Sequence, residues 1–346
     1  MRRTAHNGRR SVGGVPTIDV HTHYVPYGWP DLAAVAGPAE DWPWLRIENE
    51  REAMIMVSSR EFRPVRSSCW DAEVRLAEMA EDGVDVQVVS PTPLFFSYLR
   101  PAQQAMRVAR VFNDLALDIC APAPDRLVPF CQVPLQDVDA AVAELDRCLA
   151  NGHVGVEIGN HVGERDLDDG GIVAFLQHCA GRGAPVFVHP WDMPVSSRLD
   201  RWMARWLTGM PAETHLSILA LILGGGFDKV SEKLRICFAH GGGSFPFWLD
   251  RVENAWHRRN DIVATSEKPP SQYLDRFYVD SGVHGQRPLR LLVDTMGADR
   301  VLLGTDYPYP LGERPAGHAV RESEWLGDDA MANILGGNAM RFLYGK

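Results

Sequence analysis

Apolar positions along the chain follow two alternating periods. Short β-branched, apolar runs occupy residues 17–20 (TIDV), 84–90 (VDVQVVS), 127–133 (LVPFCQV), 154–159 (VGVEIG), 185–189 (PVFVH), 234–240 (LRICFAH), 277–281 (FYVDS) and 301–306 (VLLGTD). Between and after them lie helix-period segments at 71–82, 102–120, 138–151, 171–182, 213–227, 245–259, 288–296 and 328–343. In the second, Val108, Phe112, Leu115 and Ile119 recur at helical spacing. Strands alternating with helices predict a parallel sheet, and eight such units close most simply into a (β/α)₈ barrel. Two stretches break the alternation. Residues 24–70 hold hairpin-like pieces at 53–57 and 63–65, and residues 190–211 hold the Trp-rich RLDRWMARWL. The expected fold is therefore a distorted α/β barrel with a small β-rich insertion after strand 1 and a helical insertion after strand 5. Both insertions would follow strand C-termini, the face on which barrel active sites lie.

Composition leaves this picture intact. The chain has 346 residues, 45% of them hydrophobic and 23% charged, as in an ordinary globular enzyme. Residues 17–346 read as a single barrel domain. Residues 1–16, with four arginines and no helical face, read as a disordered extension. A net charge of −10 argues against a nucleic-acid partner. Six cysteines without a C-x-x-C pair read as reduced, mostly buried thiols of a cytoplasmic protein. No apolar run is expected to reach the roughly 18 residues of a membrane span.

The candidate chemistry sits at strand ends. His21 and His23 lie two apart on an extended segment, so both imidazoles can face the barrel mouth. His189 ends the fifth strand and Asp306 the eighth. A lone strand-end histidine is more often structural, but three imidazoles and one carboxylate at one barrel mouth suit Zn²⁺, with Fe²⁺, Mn²⁺ or Co²⁺ as substitutes. His240 ends the sixth strand before Gly241, Gly242 and Gly243. It is placed to act as general acid/base beside a water activated at such an ion, and the glycines to let backbone approach a ligand closely. The fourth strand reads VGVEIGNH and carries no lysine to bridge two ions. Glu157 could bridge in principle, but one metal ion is the expected content. His161 reads as a pocket-shaping or surface residue.

The segments IDVHTH, FVHPWDM, CFAHGGGSFPF and GTDYPYPLG, with FRPV, CWD, MPAET and RVENAW between them, resemble the amidohydrolase superfamily in its decarboxylating branch. The likeness runs from about residue 18 to 342. It implies a distorted barrel holding one divalent metal, usually zinc, on His21, His23, His189 and Asp306, with His240 as the catalytic histidine. It further implies a small dicarboxylate substrate gripped by Arg63 and by Arg251, the latter donated across a homodimer interface. Arg259 would be a further carboxylate contact and Trp191 a pocket wall. The implied reaction is non-oxidative loss of CO₂ from a conjugated acid without an organic cofactor. An aromatic-acid decarboxylase and a hydrolase or hydratase on the same barrel are the alternatives.

Overall fold

Strands buried on both faces need near-continuous apolar runs, and each of the eight runs becomes one. The computed structural model describes residues 14–193, 196–263 and 265–345. Its strands are β1 (Ile18–Tyr24), β2 (Val86–Pro91), β3 (Leu127–Cys131), β4 (Gly155–Gly159), β5 (Val186–His189), β6 (Ile236–Phe238), β7 (Tyr278–Asp280) and β8 (Val301–Leu302). They form one parallel sheet in chain order. The residues after β8 close it onto β1. Val20 N donates to Leu303 O at 2.9 Å, Asp306 N to His21 O at 2.9 Å and His23 N to Tyr307 O at 2.7 Å. The barrel is thus distorted at the seam where two candidate ligands meet.

Alternation sorts the side chains. Val20, Val88, Phe130, Phe187 and Leu302 fill the barrel with Phe342 and Leu343 of the last helix. Val156, Ile158, Val186, Val188, Ile236 and Phe238 face outward into the core beneath the helices. The helix Ala102–Cys120 buries Ala105, Val108, Phe112, Ala116 and Cys120. Leu115 and Ile119 fall to the edge of that stripe. Aspartates start several helices: Asp71, Asp137 and Asp169 each accept backbone N–H groups of the first turn, a cap that contributes about 1 kcal/mol.

Both insertions are present. After β1 comes an antiparallel sheet of Pro43–Ile47, Glu52–Val57 and Arg60–Arg66. It docks through Ala53, Ile55 and Val65 against Val25, Cys69 and Tyr309. The strand Pro43–Ile47 escaped the sequence because most of its side chains stay partly or fully exposed. After β5 come a short 3₁₀ turn at Ser197–Leu199 and a π turn at Arg205–Gly209 that runs into the helix Met210–Leu223.

One expectation is corrected. The continuous helix Arg205–Leu223 is long and apolar enough to cross a membrane by length and composition. Its Ile218, Leu221 and Ile222 are, however, fully buried in the core between barrel and helices, which makes it a packed layer of the barrel. The disordered extension expected over 1–16 lies outside the described residues for 1–13; of the rest, Gly14 is exposed and Val15 and Pro16 are half-buried. A Cβ on Gly336 would stand 1.8 Å from Pro16 O, so glycine there admits the incoming chain beside the π turn Asn333–Gly337. All six cysteines are free and buried.

Candidate metal centre and active site

His21 and His23 leave β1 where its register against β2 slips between Asp19 and Thr22. Such a bulge re-aims side chains, and both imidazoles end buried inside the barrel. His189 closes β5. Asp306 follows β8 with a φ of 61°, a conformation held by its N–H bond to His21 O. One ligand atom from each of these four residues lies within 4.8 Å of the others.

The hydrogen bonds assign the tautomers. His21 Nδ1 donates to Asp280 Oδ2 at 2.6 Å, His189 Nδ1 to Pro190 O at 3.0 Å and His23 Nδ1 to Pro91 O at 3.3 Å. Acceptors on that side keep the proton on Nδ1 and leave the Nε2 lone pairs free. All three Nε2 atoms are buried without a hydrogen-bond partner. Asp306 Oδ1 lies 3.2 Å from His23 Nε2 and 3.6 Å from His21 Nε2. Burial pushes the His23 imidazole down to about 4 against the pull of Asp306. Burial, reinforced by the neighbouring histidines, holds His189 well below the usual histidine range. Burial opposes the charge on Asp306, yet His23, His240 and His21 hold it well below the usual carboxylate range. Three neutral imidazoles and a carboxylate with inward lone pairs fit one divalent ion.

His240 follows β6 with a φ of 55°. Its Nε2 is 3.9 Å from Asp306 Oδ2, and its ring centroid lies 5.0 Å from that of His21 and 5.1 Å from that of His189. Burial alone would lower its pKa, but Asp306 and Asp280 raise it overall. The glycines beyond it pack the turn. A Cβ on Gly243, at φ 63°, would stand 2.2 Å from Pro211 O, and one on Gly241 2.4 Å from Val283.

Three supporting residues escaped the sequence reading. Asp280, ending β7, accepts from His21, from Gly241 N at 2.8 Å and from Gly282 N at 3.0 Å. Its signal was available: it ends its strand as His189 does. Asp19 accepts from His21 N at 3.2 Å, Thr305 N at 3.2 Å and Thr305 Oγ1 at 2.6 Å, tying the ligand-bearing ends of β1 and β8 together. Burial pushes its carboxyl up to about 8 against those donors. Arg75, 1% exposed, donates to Thr22 Oγ1, Gln87 Oε1 and His23 O from beneath β1. No local pattern marks it, because its partners are distant in sequence.

Arg63 comes from the inserted sheet. Its guanidinium lies 4.3 Å from the Tyr309 ring centroid, and Tyr309 in turn lies 5.5 Å from the His23 ring. No carboxylate among the described residues pairs with Arg63, which leaves its fork free at the barrel mouth. Trp191 lies two residues after His189, its ring packs edge-on against Phe62 at 6.3 Å, and its backbone N–H donates to Asn160 Oδ1 at 2.7 Å. It therefore joins the inserted sheet to the end of β5. Arg251 is exposed, 5.8 Å from the Trp248 ring centroid, and shares no described contact with the four candidate ligands. Arg259 is exposed, bonded to Asp261 at 3.2 Å, and is not brought to this chain's own site either. His161 faces Gly163 O and Asp192 O and stays outside the ligand set.

A family model described as amidohydrolase matches residues 18–344. The chain is 39% identical over 328 residues to 2-amino-3-carboxymuconate-6-semialdehyde decarboxylase of Dictyostelium discoideum, covering 94% of this chain and 91% of that one. It is 33% identical over 380 residues to the decarboxylase of the same name from Caenorhabditis elegans, covering 94% of each. Among solved structures, the apo form of Metarhizium anisopliae IDCase superimposes with a TM-score of 0.81 at 22% identity, covering 96% of this chain and 98% of that one. That likeness shows the fold.

Proposed function

The chain belongs to the amidohydrolase family, and from that premise we propose that it is a metal-dependent carboxy-lyase acting on 2-amino-3-carboxymuconate-6-semialdehyde. The observation that carries the metal is the set of three buried, unpartnered Nε2 atoms converging on Asp306. The substrate rests on the two relatives matched along nearly their full length. Zn²⁺ is the ion that we infer, since neutral imidazoles and one carboxylate form its usual donor set.

When bound, a divalent ion supplies Lewis acidity beside the departing carboxylate. The side chains do the rest. The Arg63 fork grips a carboxylate bidentately and holds the substrate over the histidines. Trp191 and Tyr309 wall the opening and exclude water. His240 holds a proton at Nε2 and delivers it to the carbon that loses CO₂. Protonation makes that carbon tetrahedral and leaves the conjugated amino group as an iminium. The C–C bond then breaks, CO₂ leaves, and the released electron pair re-forms the C=C bond and neutralises the iminium. The products are 2-aminomuconate-6-semialdehyde and CO₂.

A homodimer that brings Arg251 to the neighbouring site belongs to the same proposal. It is supported by Phe247 and Trp248, large apolar side chains left exposed on the helix that carries Arg251. A dilution series that separates subunits with full activity would refute it. The substrate is tested by following its absorbance with the Zn²⁺-loaded protein while trapping CO₂. Accelerated decay with stoichiometric CO₂, lost in His240→Ala with its metal retained, is expected. Decay at the spontaneous rate with metal bound would remove this substrate and direct the search to aromatic acids.

A further inference from the structure

Three strands point polar side chains into the barrel that this reading does not use. Ser90 near the end of β2, Gln132 just past β3 and Glu157 in the middle of β4 are 1%, 1% and 0% exposed. Each lies two residues beyond an interior position: Val88, Phe130 and Gly155, whose added Cβ would strike the Phe130 ring at 2.6 Å. By strand alternation the three therefore face inward. The Cys131–Val156 and His23–Ser90 registers set Gln132 beside Glu157, and Ser90 beside His23. Ser90 Oγ, both ends of the Gln132 amide and both Glu157 oxygens are buried without a hydrogen-bond partner. Unpartnered polar groups at this density are costly, and native proteins keep them where water or function requires them.

Glu157 Oε1 lies 3.8 Å from His23 Nδ1, the nitrogen turned away from the ligand set. Of the three candidate histidine ligands, His23 has the weakest partner on that side. Its bond to Pro91 O is 3.3 Å, against 2.6 Å for His21 to Asp280 and 3.0 Å for His189 to Pro190 O. A cation on Nε2 draws electron density from the ring and makes Nδ1–H a stronger donor. A carboxyl oxygen accepts that hydrogen whether or not the group carries its own proton.

We propose that Glu157 is the positioning residue for His23, the counterpart of Asp280 for His21, with Gln132, Ser90 and ordered water completing its hydrogen bonds. The proposal rests on the reading of His21, His23, His189 and Asp306 as a metal site. It explains why two orphaned oxygens are kept in the barrel interior.

The test titrates metal-free protein with Mn²⁺, following free Mn²⁺ by its paramagnetic resonance signal, and records the melting temperature of the metal-free form. Wild type comes first. If it fails to bind, or if His189→Ala binds as well as wild type, the metal reading itself fails. Given wild-type binding, Glu157→Met removes the acceptor at nearly constant volume. Its Mn²⁺ affinity is expected to fall about 10- to 100-fold, the usual effect of losing such a partner, while the metal-free melting temperature stays within about 2 °C or rises. Glu157→Gln, which keeps an acceptor, is expected to recover affinity to within about threefold. Wild-type affinity in Glu157→Met would overturn the inference and leave the metal reading standing. So would a Gln variant as weak as the Met variant, or a Met variant that melts much earlier or does not fold, since each assigns Glu157 a structural role.

Discussion

Asp280 Oδ2 accepts the Nδ1 proton of His21 at 2.6 Å, and this bond fixes which nitrogen of His21 faces the centre of the barrel mouth. Asp280 is fully buried, and although burial alone would raise its pKa, its contact with His21 holds it below the usual carboxylate range. Asp280→Asn presents either an amide N–H or a weaker carbonyl to His21. Metal affinity is expected to fall about 10- to 100-fold, measured by chelator competition, with the fold retained by circular dichroism. Unchanged affinity would remove Asp280 from the support of the site.

Arg63 is half-buried against Tyr309 with its fork free. Loss of a hydrogen-bonded charge contact costs about 1.5–3 kcal/mol. Arg63→Ala should therefore lower kcat/KM by about 10- to 150-fold, while metal content by elemental analysis stays at the wild-type value. Arg63→Lys should restore little, because a point charge cannot pair a carboxylate bidentately. Metal loss in the alanine variant would contradict the role.

Protons compete with a metal for imidazole, and the balance here favours the metal. His23 is held down to about 4 and His189 well below the usual range by burial. Both are therefore already neutral at pH 6, where an ordinary histidine is mostly protonated. Three ordinary imidazoles would lose about fiftyfold in apparent affinity between pH 7.5 and pH 6.0. The fall here is expected to stay under about tenfold, read from metal titrations at the two pH values. A fiftyfold loss would show that the histidines are not held neutral. For the metal-free fold the sign is the same. A depressed histidine pKa contributes stability that is present above pH 6.5 and is lost as pH falls toward 4, so thermal melts should show metal-free protein weakening across that window.

Gly243 combines a φ of 63° with a Cβ position 2.2 Å from Pro211 O. Gly243→Ala is expected to destabilise by more than about 1 kcal/mol and to move the turn that carries His240. A thermal melt checks the first effect, and kcat at full metal loading checks the second.

The barrel was legible because all eight strands are buried on both faces and so had to be written as apolar runs. The candidate ligand set was legible because His189 and Asp306 end such runs and His21 and His23 share a strand face. What escaped depends on contacts across the barrel. Asp280 looked like any strand residue until His21 was placed against it, although its strand-end position was a signal. Arg75 sits on an ordinary helix face. Pro43–Ile47 is a half-exposed strand without a clean apolar run. Arg251 and Arg259 were suggested by resemblance alone, and both lie exposed, outside this chain's own site.

The central claim is that one divalent ion, held by His21, His23, His189 and Asp306, is required for CO₂ release. It is tested most directly by removing metal with a chelator, adding Zn²⁺ back in fractions of an equivalent, and measuring CO₂ from 2-amino-3-carboxymuconate-6-semialdehyde at each step. The account predicts no release above the spontaneous rate without metal, and a linear recovery that ends at one ion per chain. Full activity in metal-free protein, or recovery that ends only at two ions per chain, would contradict it.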